Sequence, residues 1–193
     1  MKKSRKFLYL SLMIIFGLVF LTLYSTRSTK VEYSKYIPPK EFKITFECPD
    51  DWIWNVYNTQ QSGLDLINTH NPVSQYPYDG LVSVQVSKHE TQEKSETKMN
   101  DAIALNLASI KGSHSEILSD KTFEIGRHFA RQIISKWGPY VGEGRLEPII
   151  KESIYVLVGN SYYLVDLNIF ESERYSEFGQ GFNHMIETMN FIP

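Results

Sequence analysis

The stretch FKITFECPDDW, Phe42 to Trp52, decides how this chain is read. Phe42, Ile44 and Phe46 alternate with Lys43, Thr45 and Glu47, the period-two pattern of a half-buried strand. Pro49, Asp50 and Asp51 then stop it, because proline removes a ladder donor and aspartate favours turns. Trp52 follows as a large aromatic that locks the turn to a core. Cys48, the only cysteine in 193 residues, falls at the end of this strand, and the reading sets it on the face opposite Phe42, Ile44 and Phe46. A working thiolate needs a histidine, a nearby cation or a helix amino terminus. Asp50 and Asp51 do the reverse, since negative charge disfavours a thiolate. The stretch therefore reads as a strand and turn, without catalytic work for Cys48.

Outward from this strand the apolar period changes in an informative order. Trp52 and Trp54 begin a second extended piece, and LDLIN near residue 66 reads as a third short strand. Between them and LVSVQVS (Leu81 to Ser87, with Val82, Val84 and Val86 on one face) lies THNPVSQYPYDG, Thr69 to Gly80, a loop rich in turn formers. In SETKMNDAIALNLASIKG the residues Met99, Ala102, Ile103, Leu107 and Ile110 take helical spacing, and Gly112 is placed to stop the helix. Strand patterns return in SEILSDKTFEIG, HFARQIISKWG, IIKESIYVLVG and SYYLVDLNIF. Gly138 to Gly144 and Gly159-Asn160 read as hairpin connections. A closing helix presents Tyr175, Phe178, Phe182, Met185, Ile186 and Met189 as one apolar stripe. The order predicts an α+β fold, an antiparallel sheet packed with two amphipathic helices.

Charge is divided unevenly along the chain. The first thirty residues carry Lys2, Lys3, Arg5, Lys6, Arg27 and Lys30 and no acid, leaving residues 31 to 193 with 14 basic and 22 acidic groups, a net of −8. An acidic domain argues against a nucleic-acid surface, which needs clustered Lys and Arg. The 42% hydrophobic and 13% aromatic content suits one folded domain with a proper core.

The amino terminus predicts a membrane segment. Behind the basic flank of residues 1–6, Phe7 to Tyr24 is a run of eighteen uncharged residues, about 27 Å as a helix against a hydrocarbon core of about 30 Å. The basic flank belongs in the cytoplasm by the positive-inside tendency, which puts the rest of the chain outside. The run is longer than a usual cleavable signal, and Thr26-Arg27-Ser28 is a weak cleavage match. A retained signal-anchor is expected, with secretion or a periplasmic location after cleavage as the alternative. Residues 25 to 40 read as a polar linker closed by Pro38-Pro39, with the domain at 41 to 193.

A strand ending in CPDDW, a mid-chain helix, the aromatic strand SYYLVDL (Ser161 to Leu167) and a closing helix with NHMIETMNFI (Asn183 to Ile192) together resemble the PsbP-like superfamily. That superfamily includes the extrinsic subunit of photosystem II, secreted and envelope proteins of many bacteria, and a Ran-binding nuclear import factor. The resemblance covers residues 41 to 193. It implies an α/β/α sandwich and a binding or assembly role, and it supplies no catalytic motif to carry over. The anchor and the lack of a chloroplast-type transit region argue against a photosynthetic role.

The remaining residues point away from chemistry. His70, His89, His114, His128 and His184 are far apart and lack a second ligand at i+2 to i+4, although His70 and His128 could converge in space. One cysteine makes no internal disulfide and nothing has zinc spacing. GxGxxG and G-x-S-x-G are absent. No enzyme activity, cofactor or metal is expected. Two uses remain. One is a protein-interaction or assembly module, docking another envelope or membrane protein through Tyr76 and Tyr78 of the Thr69–Gly80 loop. The other is a carrier of a small apolar ligand in a pocket lined by Trp52, Trp54, Phe129 and Trp137.

Overall fold

The computed structural model describes residues 31–59, 63–69, 83–90, 94–113, 115–142, 145–174 and 176–192. Phe7–Tyr24, Tyr76, Tyr78, His70 and His114 lie outside them. Among the described residues no helix is long and apolar enough to cross a membrane.

Among the described residues, ten strands and two α-helices make up the compact unit Tyr33–Pro193. The strands are β1 (Tyr33–Tyr36), β2 (Ile44–Pro49), β3 (Trp54–Thr59), β4 (Gly63–Thr69), β5 (Ser83–Glu90), β6 (Glu116–Ile125), β7 (His128–Gly142), β8 (Arg145–Val158), β9 (Ser161–Phe170) and β10 (Asn190–Phe191). The helices are α1 (Ser95–Gly112) and α2 (Glu177–Thr188). Seven strands form one antiparallel sheet in the order β3-β4-β5-β9-β8-β7-β6, and β1-β2-β10 form a second, smaller one.

Strand alternation assigns the two faces of the large sheet. On β9, Tyr163, Val165, Leu167 and Ile169 face a core shared with Ile44 and Phe46 of β2 and with Phe178, Phe182 and Met185 of α2. Tyr162, one residue earlier, faces the other way, where Met99, Ile103 and Ile110 of α1 bury it with Ile133 and Tyr155. The result is α1, then the large sheet, then the small sheet with α2: an α+β sandwich, as the apolar periods predict. The helix over residues 95–112 and the turn at Gly159-Asn160 also stand where the sequence puts them.

The decisive stretch needs three corrections. Phe42 is not in the strand. It ends a short 3-10 turn, Lys40–Phe42, and Lys43 then takes a left-handed φ of +54° before β2 begins at Ile44. Phe42 is nevertheless fully buried, and its carbonyl accepts a hydrogen bond from the Tyr163 hydroxyl. Cys48 is not on the opposite face. Positions 44, 46 and 48 share strand parity, and Cys48, 3% exposed, belongs to the same core as Ile44 and Phe46. Finally, Tyr33–Tyr36, inside the stretch read as linker, forms β1 by pairing from Tyr33↔Pro49 to Tyr36↔Phe46.

A fourth correction concerns Gly138 to Gly144. β7 runs on to Gly142, and the register shift between Trp137 and Tyr140 makes Gly138, at φ +91°, part of a bulge. Glycine accepts that backbone without strain, so the bulge bends the strand instead of ending it.

Candidate functional site

β2 ends at Pro49, whose carbonyl accepts the Trp52 backbone N–H at 3.0 Å. That turn delivers Trp52 and Trp54 against β1 and α2. The Trp54 ring lies 5.6 Å from Tyr36 in a stack, 5.2 Å edge-on to Phe46 and 5.9 Å from Trp52, and Trp52 lies 4.8 Å from Phe178. Aromatic pairs at such separations add to what area burial alone contributes. This corner is filled by its own rings. Its outer rim is apolar, with Ile37 69% and Ile53 64% exposed.

Within the corner the Cys48 thiol has its pKa raised above the ordinary value, first by burial; the Trp54 indole pulls it down next, and Asp50 and Asp51 push it up again. The indole N–H makes no well-formed hydrogen bond, and burial sets the direction. A thiol held protonated is a poor nucleophile.

The four aromatics expected to line one pocket sit in three places. Trp52 and Trp54 share the corner. Trp137 and Phe129 occupy odd positions of β7, the side of the large sheet that α1 covers. Trp137 packs there beside Ile117 and donates its indole N–H to Ser135 Oγ at 2.7 Å. Phe129 is 46% exposed beside the β6–β7 turn. Three of the histidines are described, and each meets a different ring: His89 stacks on Tyr162 at 4.5 Å, His128 stands edge-on to Phe191 at 5.0 Å and His184 lies tilted against Tyr33 at 4.1 Å. His184 also meets Glu47 at 3.0 Å. Among the described residues no group of three His, Cys, Asp or Glu side chains could hold a metal ion.

The sequence reading missed a polar strip on the α1 side of the large sheet. Ser153 Oγ donates to Asp166 at 2.5 Å, and Lys151 Nζ stands 3.6 Å from the same carboxylate. Asn168 reaches Ser83 at 3.4 Å, Gln85 reaches Ser87 at 3.1 Å, and Asn106 of α1 donates to the Tyr155 hydroxyl at 3.0 Å. Burial first and Asp166 second push the Tyr155 phenol up. The signal was present as polar residues at alternate positions of β8 (151, 153) and β9 (166, 168). The Asp166 carboxylate thus accepts from the Ser153 hydroxyl and stands beside the Lys151 ammonium.

On the other face Gln132 donates its side-chain N–H to Glu152, both of them buried. Burial raises the Glu152 pKa, and Gln132, Arg174 and Lys121 only partly oppose it. Nearby along the same core, Lys88 is buried and donates to the Glu41 carbonyl at 2.6 Å, tying β5 to the turn before β2.

The expected contact loop is seen through its stem. β4 and β5 pair without interruption from Leu64↔Lys88 to Thr69↔Ser83, so residues 69 and 83 face each other directly. Ser83 is the residue that Asn168 of β9 contacts, which ties the stem to the polar strip.

No protein-family model matches the chain, and no curated protein matches it significantly in sequence. Solved structures match it in fold. The cyanobacterial PsbP (CyanoP) of Synechocystis sp. PCC 6803 aligns at a TM-score of 0.53 and 11% identity, over 83% of this chain and 93% of that one. A protein of Bacteroides thetaiotaomicron VPI-5482 aligns at a TM-score of 0.50 and 14% identity, over 82% of this chain and 48% of that one. The Ran-binding protein Mog1p of Saccharomyces cerevisiae aligns at a TM-score of 0.49 and 14% identity, over 84% and 97%. At these identities the likeness is one of fold. The fold is PsbP-like.

Proposed function

We propose that the chain is a non-catalytic module held at the cell membrane by residues 7–24, with its amino terminus in the cytoplasm and the domain outside, and that it docks another envelope or membrane protein. The observation that carries this reading is the β4–β5 stem. A strand pair tied into a seven-stranded sheet and paired to its last residues, Thr69↔Ser83, is a rigid base, and binding residues concentrate on loops that such scaffolds position. The sequence between these strands contains Tyr76 and Tyr78, and tyrosine gives large contact area for little conformational entropy. The aromatic corner supports the same reading from the other direction. Trp52 and Trp54 pack on Tyr36, Phe46 and Phe178, which uses them as core and leaves the carrier reading without its expected lining.

Site-specific photocrosslinking in intact cells tests the docking. With a photoreactive residue in place of Tyr78, one defined protein adduct is expected, and the Tyr76→Ala background should lower its yield by about tenfold, the loss of on the order of 1.4 kcal/mol that one interface tyrosine supplies. A smear of unrelated neighbours, unchanged by Tyr76→Ala, overturns it.

A further inference from the structure

We propose that the outer rim of the aromatic corner, Ile37 and Ile53, rests on the outer surface of the lipid bilayer. The inference is separate from the docking loop and rests only on the anchor part of the reading above. Both side chains are aliphatic and more than 60% exposed. They belong to one edge, because Ile37 follows Tyr36 and Ile53 precedes Trp54, and those two rings stack at 5.6 Å. Val56, two residues beyond Trp54 on β3, is also an exposed large apolar residue.

The occupant follows from the length of chain between this edge and the apolar segment. The edge includes β1, the first strand, which starts at Tyr33, and Phe7–Tyr24 ends eight residues before that strand. Eight residues span at most about 29 Å, whereas a compact unit the length of Tyr33–Pro193 measures about 40 Å across. A tether shorter than the domain holds the β1 edge toward the bilayer and keeps its effective concentration at the lipid surface high. An apolar rim backed by tyrosine and tryptophan is the side-chain chemistry of the membrane–water interface. The exposed charges flanking it in sequence, Lys35, Lys40 and Lys43 against Glu32, Glu41, Glu47, Asp50 and Asp51, hold no excess of cations, so the contact is apolar and does not depend on anionic lipid.

The test uses the full chain reconstituted in neutral phosphatidylcholine vesicles. Ile53→Cys and, as a control on α1, Leu105→Cys, where the leucine is 72% exposed, are each labelled with an environment-sensitive fluorophore; buried Cys48 should take no label in the folded parent. The expected result is flotation with the vesicles and quenching by nitroxide-bearing lipids about threefold stronger at position 53 than at 105, unchanged by high salt because an apolar contact is not screened. Flotation with equal quenching at both positions overturns the lipid contact and leaves the anchor standing. Failure to float overturns the anchor reading, and the lipid contact falls with it. A protein captured in high yield through position 53 in cells overturns the lipid contact in favour of a protein surface. Ile37→Cys provides a second probe of the same edge if the first disturbs folding.

Discussion

Phe182→Ala is expected to destabilise the domain by about 3–5 kcal/mol, the range for truncating a buried phenylalanine in a close-packed core. Phe182 is fully buried on α2 and packs in the core that joins this helix to β2 and to the α1-distant face of the large sheet. The loss combines the transfer energy of the ring with a cavity that two sheets and a helix cannot readily close. At about 2–4 °C per kcal/mol for a domain of this size, the melting temperature should fall by roughly 6–20 °C. Leu105→Ala is the control. A solvent-facing leucine on α1 should change stability by no more than about 0.5 kcal/mol. Thermal or urea unfolding of both variants decides the matter, and comparable losses for the two would mean that α2 does not carry the core described here.

Gly181→Ala should also destabilise, against the sign that helix propensity alone predicts. Alanine is the better helix former by about 1 kcal/mol. A Cβ at position 181, however, would stand 2.8 Å from Pro49 Cγ and 3.1 Å from Trp52 Cζ2. Neither atom can move cheaply, since one belongs to a proline ring at the end of β2 and the other to an indole packed on Phe178. Overpacking of this kind costs about 1–3 kcal/mol, and contact with two rigid rings belongs to the upper part of that range, so after the propensity gain a net loss of about 1–2 kcal/mol is expected. The proline contact gives a second handle. In a Pro49→Ala background the same glycine substitution should cost less, and that coupling, read from a double-mutant cycle, reports how closely α2 approaches the decisive strand. A stabilised Gly181→Ala would show that the helix does not sit this close.

Much of this architecture was legible because long elements carry strong periods. Met99, Ile103 and Ile110 announce α1, and Tyr163, Val165, Leu167 and Ile169 announce one face of β9 before any contact is known. The closing stripe of Phe178, Phe182 and Met185 does the same for α2. β1 was not legible. YSKY is four residues long with two exposed positions in its middle, and it becomes a strand only by pairing along β2, a tertiary effect outside local pattern. β10 is two residues long and depends on the backbone, with the Ile192 N–H donating to the Lys43 carbonyl at 2.7 Å. Phe42 shows a different difficulty. It keeps the burial expected of a strand residue while Lys43 breaks the alternation by turning left-handed.

The candidate sites divided along similar lines. The sequence showed that Trp52 and Trp54 matter to the turn after CPDD, and their ring contacts place them in one corner with Phe178 of α2. It could not show that Phe129 and Trp137 belong elsewhere, because facing depends on which side of β7 each helix covers. The strip of Ser153, Asp166, Lys151 and Asn168 was hidden for a related reason. Each residue is unremarkable in its own strand, and they meet only through the β8–β9 register, with Ser153 paired to Asp166 and Lys151 to Asn168.

These findings describe a domain whose distinctive groups are committed to structure. The thiol is buried and held protonated, the described histidines pack against separate rings, and Lys88 and the Gln132–Glu152 pair join elements across the core. The proposed docking and lipid contacts both use the surface that these groups leave free, and the proposed anchor decides which surfaces it can reach.

Fractionation of cells carrying a tagged full-length chain, with protease added from outside, tests that account most directly. The account predicts an intact chain in the membrane fraction whose domain is digested by the external protease. A shorter chain, free in the soluble envelope or the medium, would contradict it.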